Sequence, residues 1–139
     1  MKIVICGSMA FAREMVKTAD KLEKNGHQVV LPRNTKKYAS QALAGEISSE
    51  SAQNKIDYDL IREYYNEIKN ADAILVLNIT KNGTENYIGG NSFLEMGFAH
   101  VLDKLIYLLN DIPDLPYTDE IKAARPIVLN GDLAMITYR

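Results

Sequence analysis

The stretch YIGGNSFLEMGFA, residues 87–99, sets one carboxylate, Glu95, among apolar residues that follow two glycines. An ionised side chain in so apolar a helical turn has two explanations. In the first, Ser92 and Glu95 form the S-x-x-E capping box, in which the serine caps a helix and the glutamate bonds back to the serine amide. In the second, Glu95 takes part in chemistry, since glycines ahead of it permit close backbone approach to a ligand. Gly97 favours the second, because a glycine inside a helix costs about 1 kcal/mol relative to alanine and close packing or ligand clearance is a common reason for it.

Size and composition limit the classes of protein that the chain can belong to. Its 139 residues predict one domain spanning 1–139. A net charge of −2 without a long basic run argues against binding polymeric nucleic acid. No apolar run approaches the roughly 20 residues that cross a bilayer, so no membrane partner is expected. A single cysteine excludes an internal disulfide and makes the cytoplasm the default location, and one cysteine with two distant histidines predicts no metal site and no cofactor.

The hydrophobic pattern alternates between strand and helix along the chain. A buried strand at 2–6, a glycine-containing turn, a helix ending in KNG and a strand at 27–32 predict a βαβ unit with a parallel sheet. The later elements predicted are a helix at 57–72, the most apolar and therefore central strand at 73–79, a helix at 91–104, a strand at 105–110, a short helix at 119–124 and a last strand at 126–130. The fold class expected is a doubly wound α/β fold, Rossmann-like or flavodoxin-like, with about five parallel strands and helices on both faces. Residues 33–56 are polar and serine-rich, with room for a short helix, and either form a functional lid or a solvated insertion.

Ligands of doubly wound folds bind outside the carboxyl ends of the strands. That rule selects Gly7 and Ser8 after the first strand, and Asn78 with the 80–90 loop after the third. The turn at Gly7 matches neither the dinucleotide fingerprint nor the P-loop. It still permits an anion at the start of the next helix, with a hydroxyl from Ser8 and a charge from Arg13. The alternative is that Ser8 caps the helix and Arg13 is a surface residue.

Three other chemically distinctive residues have structural interpretations. Cys6 closes a buried strand and is expected to be inert. His27 precedes a strand and is expected at the surface. His100 lies five residues beyond Glu95 on the same helix, so it is expected to point away and to be structural.

Three stretches, CGSMAFARE, NADAILVLN and FLEMGFAHVLDKLIYLL, resemble the nucleoside 2-deoxyribosyltransferase superfamily, which includes the 2′-deoxynucleoside 5′-phosphate N-hydrolases. The resemblance runs from residue 2 to about residue 110 with the same order of elements. Its most specific part is the E-[LM]-G-x-A core at Glu95, Gly97 and Ala99. The CGS turn followed by Arg-Glu resembles the hydrolase branch.

The resemblance implies that Glu95 is a nucleophile that attacks C1′ of a 2-deoxyribosyl group and displaces the base. Water or a second base would then resolve the covalent glycosyl-enzyme. Ser8 and Arg13 would face the 5′ side of the sugar or a 5′-phosphate. The other substrate-binding residues expected are Gly7, Asn78, Gly89, Gly90, Asn91 and Ser92. The partner implied is a small-molecule nucleoside or nucleotide, and the relatives' dimers or larger assemblies imply a homo-oligomer.

The chain departs from the family pattern at three positions. The aspartate of the preceding helix is replaced by Tyr64, the acidic or hydroxyl residue six before the nucleophile by Gly89, and the first-strand tyrosine of the hydrolases by Val4. Either Tyr64 (or its neighbour Tyr65) takes over as a second catalytic residue, or it is an ordinary core tyrosine. Tyr87 is a further candidate for stacking on a base.

These departures leave three functions in competition. The first is cleavage of the N-glycosidic bond of a 2′-deoxynucleoside or its 5′-monophosphate, by hydrolysis or base transfer. The second is a catalytically inactive nucleotide-binding module or sensor on the same fold, which the missing aspartate favours. The third is a related glycosyl hydrolase that releases base from a ribonucleotide.

Overall fold

The computed structural model describes residues 1–40 and 59–137 of the chain. The strands are β1 (Lys2–Cys6), β2 (Gln28–Val30), β3 (Ala73–Val76), β4 (Leu105–Leu108) and β5 (Ile127–Val128). The helices are α1 (Ala12–Lys24), α2 (Thr35–Ala39), α3 (Leu60–Lys69), α4 (Gly90–Val101) and α5 (Thr118–Ala123), with 3₁₀ turns at Met9–Phe11 and Leu133–Met135. Within the described ranges no helix has the length and apolar character that a membrane span requires.

The five strands form one all-parallel sheet in the order β2-β1-β3-β4-β5. Strand β1 pairs with β2 on one side and with β3 on the other, so the chain changes its direction along the sheet after β2. This confirms the predicted doubly wound α/β fold, with β3 as the central strand.

Helices cover both faces of the sheet, because successive strand residues point to opposite sides. On one face, Val4 and Cys6 pack in a core that α3, α4 and α5 complete. On the other, Ile3 and Ile5 pack against α1. The residues that the helices contribute are Tyr64, Ile68, Met96, Ala99 and Ile121 on the first face, and Met15, Ala19 and Leu22 on the second.

The strands end earlier than their apolar patterns suggest. The predicted strand at 73–79 stops at Val76, and the predicted strand at 105–110 stops at Leu108. Beyond these points one backbone hydrogen bond continues each pairing, from the Leu77 amide to the Cys6 carbonyl at 2.9 Å and from the Leu109 amide to the Val76 carbonyl at 3.0 Å, and side-chain hydrogen bonds of Asn78 follow. The short helix expected within 33–56 is α2, whereas the choice between a lid and a solvated insertion falls mainly on residues outside the described ranges.

A tight turn fixes the loop between β3 and α4. Asn82 and Gly83 both have positive φ angles, 50° and 79°, as the central positions of a type I′ turn require. Lys81 and Thr84 flank them and exchange two backbone hydrogen bonds of 3.0 and 2.9 Å. The turn predicted from the Asn-Gly pair is therefore present, and it holds Lys81 on a defined piece of backbone.

Candidate functional site

The carboxyl ends of β1 and β3 lie side by side. Cys6, the last residue of β1, is in register with Val76, the last residue of β3. The Leu77 amide then donates to the Cys6 carbonyl at 2.9 Å, which extends the pairing by one step. The turn after β1 and the loop after β3 therefore leave the sheet at the same edge, where the strand-end rule places a ligand.

Ser8 connects the two loops at this edge. Its Oγ accepts a hydrogen bond from the Ala10 amide at 3.2 Å, so Ser8 caps the 3₁₀ turn as one of the two interpretations proposed. The same oxygen accepts from the Lys81 ammonium at 3.0 Å, across 73 residues of sequence. Lys81 Nζ also lies 5.7 Å from the centroid of the Tyr87 ring, within the range of a cation–π contact. The sequence interpretation missed Lys81, and the available signal was its place directly before the Asn-Gly turn.

Two glycines at the edge make room for neighbouring side chains. A Cβ at Gly7 would lie 2.8 Å from the terminal methyl group of Met15. A Cβ at Gly89 would lie 3.2 Å from the Tyr87 ring. Gly90 has no such neighbour within 4 Å, so the start of α4 faces open space. The open approach expected of the glycine pair is therefore found at Gly90.

Glu95 does not form the capping box. Helix α4 begins at Gly90, and its N-cap is Gly89, whose carbonyl accepts the Phe93 amide at 2.9 Å. Ser92 is therefore the third residue of the helix and buried, and Glu95 is the sixth, one turn too far to reach back to an N-cap amide. The capping-box interpretation is wrong because the helix starts three residues earlier than the motif implies, with Gly89 and not Ser92 as its N-cap.

Glu95 is instead buried beside Cys6, with 5% of its surface exposed. The Cys6 thiol hydrogen-bonds to the Glu95 side chain. Burial, and then the nearby Glu95 charge, raise the pKa of the thiol well above its ordinary value, so Cys6 keeps its proton and donates it. The cysteine expected to be inert thus contacts the carboxylate expected to react.

Tyr64 approaches the same cluster from α3. Its ring is buried, and its hydroxyl donates a hydrogen bond to the Ile5 carbonyl. Burial raises the pKa of Tyr64 well above its ordinary value, and the neighbouring acidic groups of Cys6 and Glu95 add to the effect. The structure therefore brings Tyr64 close to Glu95. The hydroxyl proton of Tyr64, however, is donated to the backbone of β1 and not to Glu95.

Asn78 is fully buried at the edge, and both the nitrogen and the oxygen of its side-chain amide form hydrogen bonds with the backbone after β4. Its Nδ2 donates to the carbonyls of Asn110 and Asp111, both at 2.9 Å, and its Oδ1 accepts the Asn110 amide at 2.8 Å. The Asn110 side chain returns a bond of 3.1 Å to the Asn78 carbonyl. Asn78 therefore holds the loop after β4 against β3, and a direct contact of its side chain with substrate stays a prediction.

Arg13 and Asn91, the remaining polar candidates, are exposed. Arg13 lies in the first turn of α1, and its Nε donates to the Ala39 carbonyl at 3.1 Å, at the end of α2. Asn91 is the second residue of α4. The described contacts thus bring Lys81, rather than Arg13, to Ser8.

The two histidines lie away from Glu95 and differ in burial. His27 is 7% exposed, and its Nδ1 lies 3.0 Å from the α-ammonium of Met1. The expectation of a surface position is wrong for His27, because the start of β1 packs over the residue before β2. Burial and the α-ammonium charge lower the pKa of His27, partly offset by backbone hydrogen bonds with Ile136 and Met1. His100 is exposed in the last turn of α4.

An apolar groove of about 500 Å³ runs between α4 and α5. Phe93, Gly97 and Ala123 line it, with His100 and Glu120 at its polar positions. Gly97 leaves open space here, since a Cβ at that position would meet no atom within 4 Å. Glu95 does not line this groove. The open space at Gly97 therefore lies in the groove and not beside the Glu95 carboxylate.

The described residues contain no cluster of three or more histidine, cysteine or carboxylate side chains placed to hold a metal ion. Comparison with known proteins finds no family model that matches the chain and no significant match among curated proteins. The functional interpretation therefore depends on the motifs and on the geometry around Glu95 and Ser8.

Proposed function

We propose that the protein cleaves the N-glycosidic bond of a 2′-deoxynucleoside or its 5′-monophosphate, with Glu95 as the nucleophile and hydrolysis or base transfer as the outcome. The observation that supports this most is the position of Glu95. It is a buried carboxylate in the second turn of a helix that starts from the carboxyl edge of the sheet, without the capping role that would otherwise account for it. A buried carboxylate is costly unless it is partnered, and such groups are concentrated at functional sites.

The chemistry requires two displacements at the same carbon. A Glu95 oxygen bonds to C1′ while the bond from C1′ to the base nitrogen breaks, and the electron pair leaves with the base, which takes up a proton. Water, or the nitrogen of a second base, then attacks C1′ and releases the carboxylate. Positive charge builds on the sugar in both transition states, and the carboxylate stabilises it. A 2-deoxy sugar forms this cation more readily, because it lacks the electron-withdrawing 2′-hydroxyl.

The neighbours of Glu95 are consistent with a held, reactive carboxylate. The Cys6 thiol donates to it from β1, and Ser8 lies two residues further along the same strand end. Tyr64 is not assigned the protonation of the base in this proposal, because its hydroxyl donates to Ile5. A homo-oligomeric state and a cytoplasmic location are further predictions, drawn from the resemblance and from the composition.

The second candidate is a nucleotide-binding module that lacks turnover. One observation favours it: the position of the family's aspartate carries Tyr64, whose hydroxyl is engaged by the backbone. Such a module would bind the same ligand at the same edge and release no base.

The test incubates the purified protein with the four common deoxynucleoside 5′-monophosphates and their nucleosides, and measures free base by chromatography. We expect base release by the native chain and its loss in Glu95→Gln. Glu120→Gln on α5 is the matched control, because Glu120 is exposed and lies in the separate groove. Binding without base release would favour the module, and release that survives Glu95→Gln would contradict the proposed nucleophile.

A further inference from the structure

Tyr117, in the loop between β4 and α5, contacts the start of α4 on both sides of its N-cap. Its hydroxyl donates a hydrogen bond to the carbonyl of Ile88, the residue before the Gly89 N-cap. Its ring packs against the ring of Phe93, with the centroids 4.7 Å apart and the planes inclined by 36°. Phe93 is the fourth residue of α4, so one side chain joins the end of the preceding loop to the first turn of the helix.

The N-terminal end of α4 has no side-chain cap of its own. Its N-cap, Gly89, carries no side chain that could accept an amide of the first turn, and no side-chain cap bond is formed. Open space surrounds Gly90, since a Cβ there would meet no atom within 4 Å. A helix end without a cap frays readily, because its first amides have no partner within the helix. The contacts from Tyr117 therefore stabilise an end of α4 that would otherwise fray.

Two polar side chains hold the loop that carries Tyr117. At the start of the loop, Asn78 from the end of β3 binds the backbone directly after β4, as described above. At its end, the Thr118 hydroxyl accepts a hydrogen bond from the Leu115 amide at 2.7 Å. A fixed piece of backbone therefore joins the carboxyl end of β3 to the start of α4 through Tyr117.

Glu95 follows Phe93 by two residues on α4, so its position depends on where the first turn of the helix lies. Two residues of a helix turn by about 200°, so the two side chains leave α4 on different sides. Any effect of the Tyr117 ring on Glu95 through this contact is therefore transmitted by the helix. A nucleophile must come within about 3–3.5 Å of the carbon that it attacks, and a displacement of about 1 Å can lower the rate by about 100-fold.

We propose that Tyr117 is a positioning residue for the cleavage at Glu95. By holding Ile88 and Phe93, it fixes the first turn of α4 and with it the distance from the Glu95 carboxylate to C1′ of the substrate. The inference rests on the proposed function and adds the loop after β4 to the parts of the chain that determine the rate. A residue that only stabilised the fold would change neither kcat nor KM of the folded protein, whereas a positioning residue changes kcat.

The experiment compares the native chain with Tyr117→Phe, which loses the hydroxyl and keeps the ring, and with Tyr117→Leu, which loses both contacts. Tyr107→Phe is the matched control, because the Tyr107 hydroxyl is buried on the other face of the sheet and has no hydrogen-bond partner among the described residues. The measurement is kcat and KM for base release, under conditions in which each variant is folded, with the substrate that the native chain cleaves fastest. We expect kcat to fall by about 5- to 10-fold in Tyr117→Phe and by about 10- to 100-fold in Tyr117→Leu. KM should stay within about twofold, and Tyr107→Phe should match the native chain.

Hydrogen exchange of backbone amides tests the hold of Tyr117 on α4 without reference to activity. The Phe93 amide donates to Gly89 in the first turn at 2.9 Å, and the Leu102 amide donates to Phe98 at the far end at 3.0 Å. We expect Tyr117→Phe to speed exchange at Phe93 by about 5- to 10-fold, as the loss of one hydrogen bond does, and to leave exchange at Leu102 unchanged.

Unchanged kcat in both Tyr117 variants, or a rise in KM without a fall in kcat, would overturn the positioning role and leave the proposed cleavage intact. If the native chain releases no base from any substrate, the proposed function fails, and hydrogen exchange alone decides whether Tyr117 holds the start of α4. Faster exchange at Phe93 than at Leu102 in Tyr117→Phe would then support that hold. Exchange equal to the native chain, or equally faster at both amides, would rule it out.

Discussion

The Tyr64 hydroxyl on α3 donates a hydrogen bond to the backbone carbonyl of Ile5 on β1. The register of the sheet explains why this carbonyl needs a side-chain partner. The Gln28 amide donates to the Met1 carbonyl at 2.9 Å, and two residues per step along both parallel strands make position 32, a proline, the next donor position for the Ile5 carbonyl. Proline has no amide hydrogen, so β2 offers no donor at that point. Tyr64 supplies it from the neighbouring helix.

Tyr64→Phe should therefore act on stability more than on catalysis. The substitution leaves a buried carbonyl without a donor, and we expect the free energy of unfolding to fall by about 1–3 kcal/mol in urea titrations. We expect kcat to change little. Tyr65→Phe, whose ring packs edge-on against Phe98 at 5.2 Å, is the control. A fall in kcat of about 100-fold or more at unchanged stability would instead assign Tyr64 to protonation of the base.

Substitutions of Cys6 test whether its thiol holds the Glu95 carboxylate. Cys6→Ala removes the donor, and we expect kcat to fall by about 2- to 10-fold with KM little changed, because the orientation of the carboxylate is lost and not the binding of substrate. Cys6→Ser keeps a donor and should retain more of the activity than Cys6→Ala. If the two variants react at the same rate as the native chain, the thiol has no part in positioning Glu95.

The buried His27 should make stability depend on pH. Its pKa is lowered in the folded chain from an ordinary value of about 6.5. As the pH falls through about 6.5, the unfolded chain takes up a proton that the folded chain does not, so the free energy of unfolding decreases until the lower, folded pKa is passed. We expect His27→Gln to show a shallower decrease than the native chain over this window, in urea titrations at a series of pH values. His100→Gln, at an exposed position, should reproduce the native slope. Equal slopes for the native chain and His27→Gln would contradict the role of His27.

The rate of the proposed cleavage should depend on whether the sugar carries a 2′-hydroxyl. A carboxylate that attacks C1′ must come within about 3–3.5 Å of it in a productive complex, and so passes close to the 2′ position. A 2′-hydroxyl would crowd the carboxylate and also raise the energy of the cationic transition state. We expect kcat/KM for a deoxynucleoside 5′-monophosphate to exceed that of the matching ribonucleotide by well over about tenfold, or about 1.4 kcal/mol. Equal rates would favour the related hydrolase that accepts ribonucleotides.

The fold was predictable because its signals are local. The apolar runs of the five strands, the helical spacing between them and the Asn-Gly turn each lie within a short window of sequence, and the parallel alternation leaves few topologies. The central place of β3 followed from its apolar run, since a strand buried on both faces tolerates few polar residues.

The contacts of the site were harder to predict from sequence, because they join residues that are far apart in the chain. The pair of Lys81 and Ser8 depends on the path of a loop across 73 residues. The capping-box prediction was wrong for a different reason. It is a local signal, but Gly89 and Gly90 let the helix start earlier, and the motif then lies inside the helix. The burial of His27 depends on the N-terminal residue that packs over it.

The central claim is that Glu95 bonds covalently to C1′ of a 2-deoxyribosyl group. The most direct measurement is mass spectrometry of the proteolytic peptide that contains Glu95, after the protein has been mixed with a deoxynucleoside 5′-monophosphate and quenched with acid within the first turnover. We expect a fraction of this peptide to carry the mass of the 2-deoxyribosyl 5-phosphate, located on Glu95 by fragmentation and absent from Glu95→Gln. Release of base without any such adduct, at a rate that Glu95→Gln does not change, would contradict the mechanism.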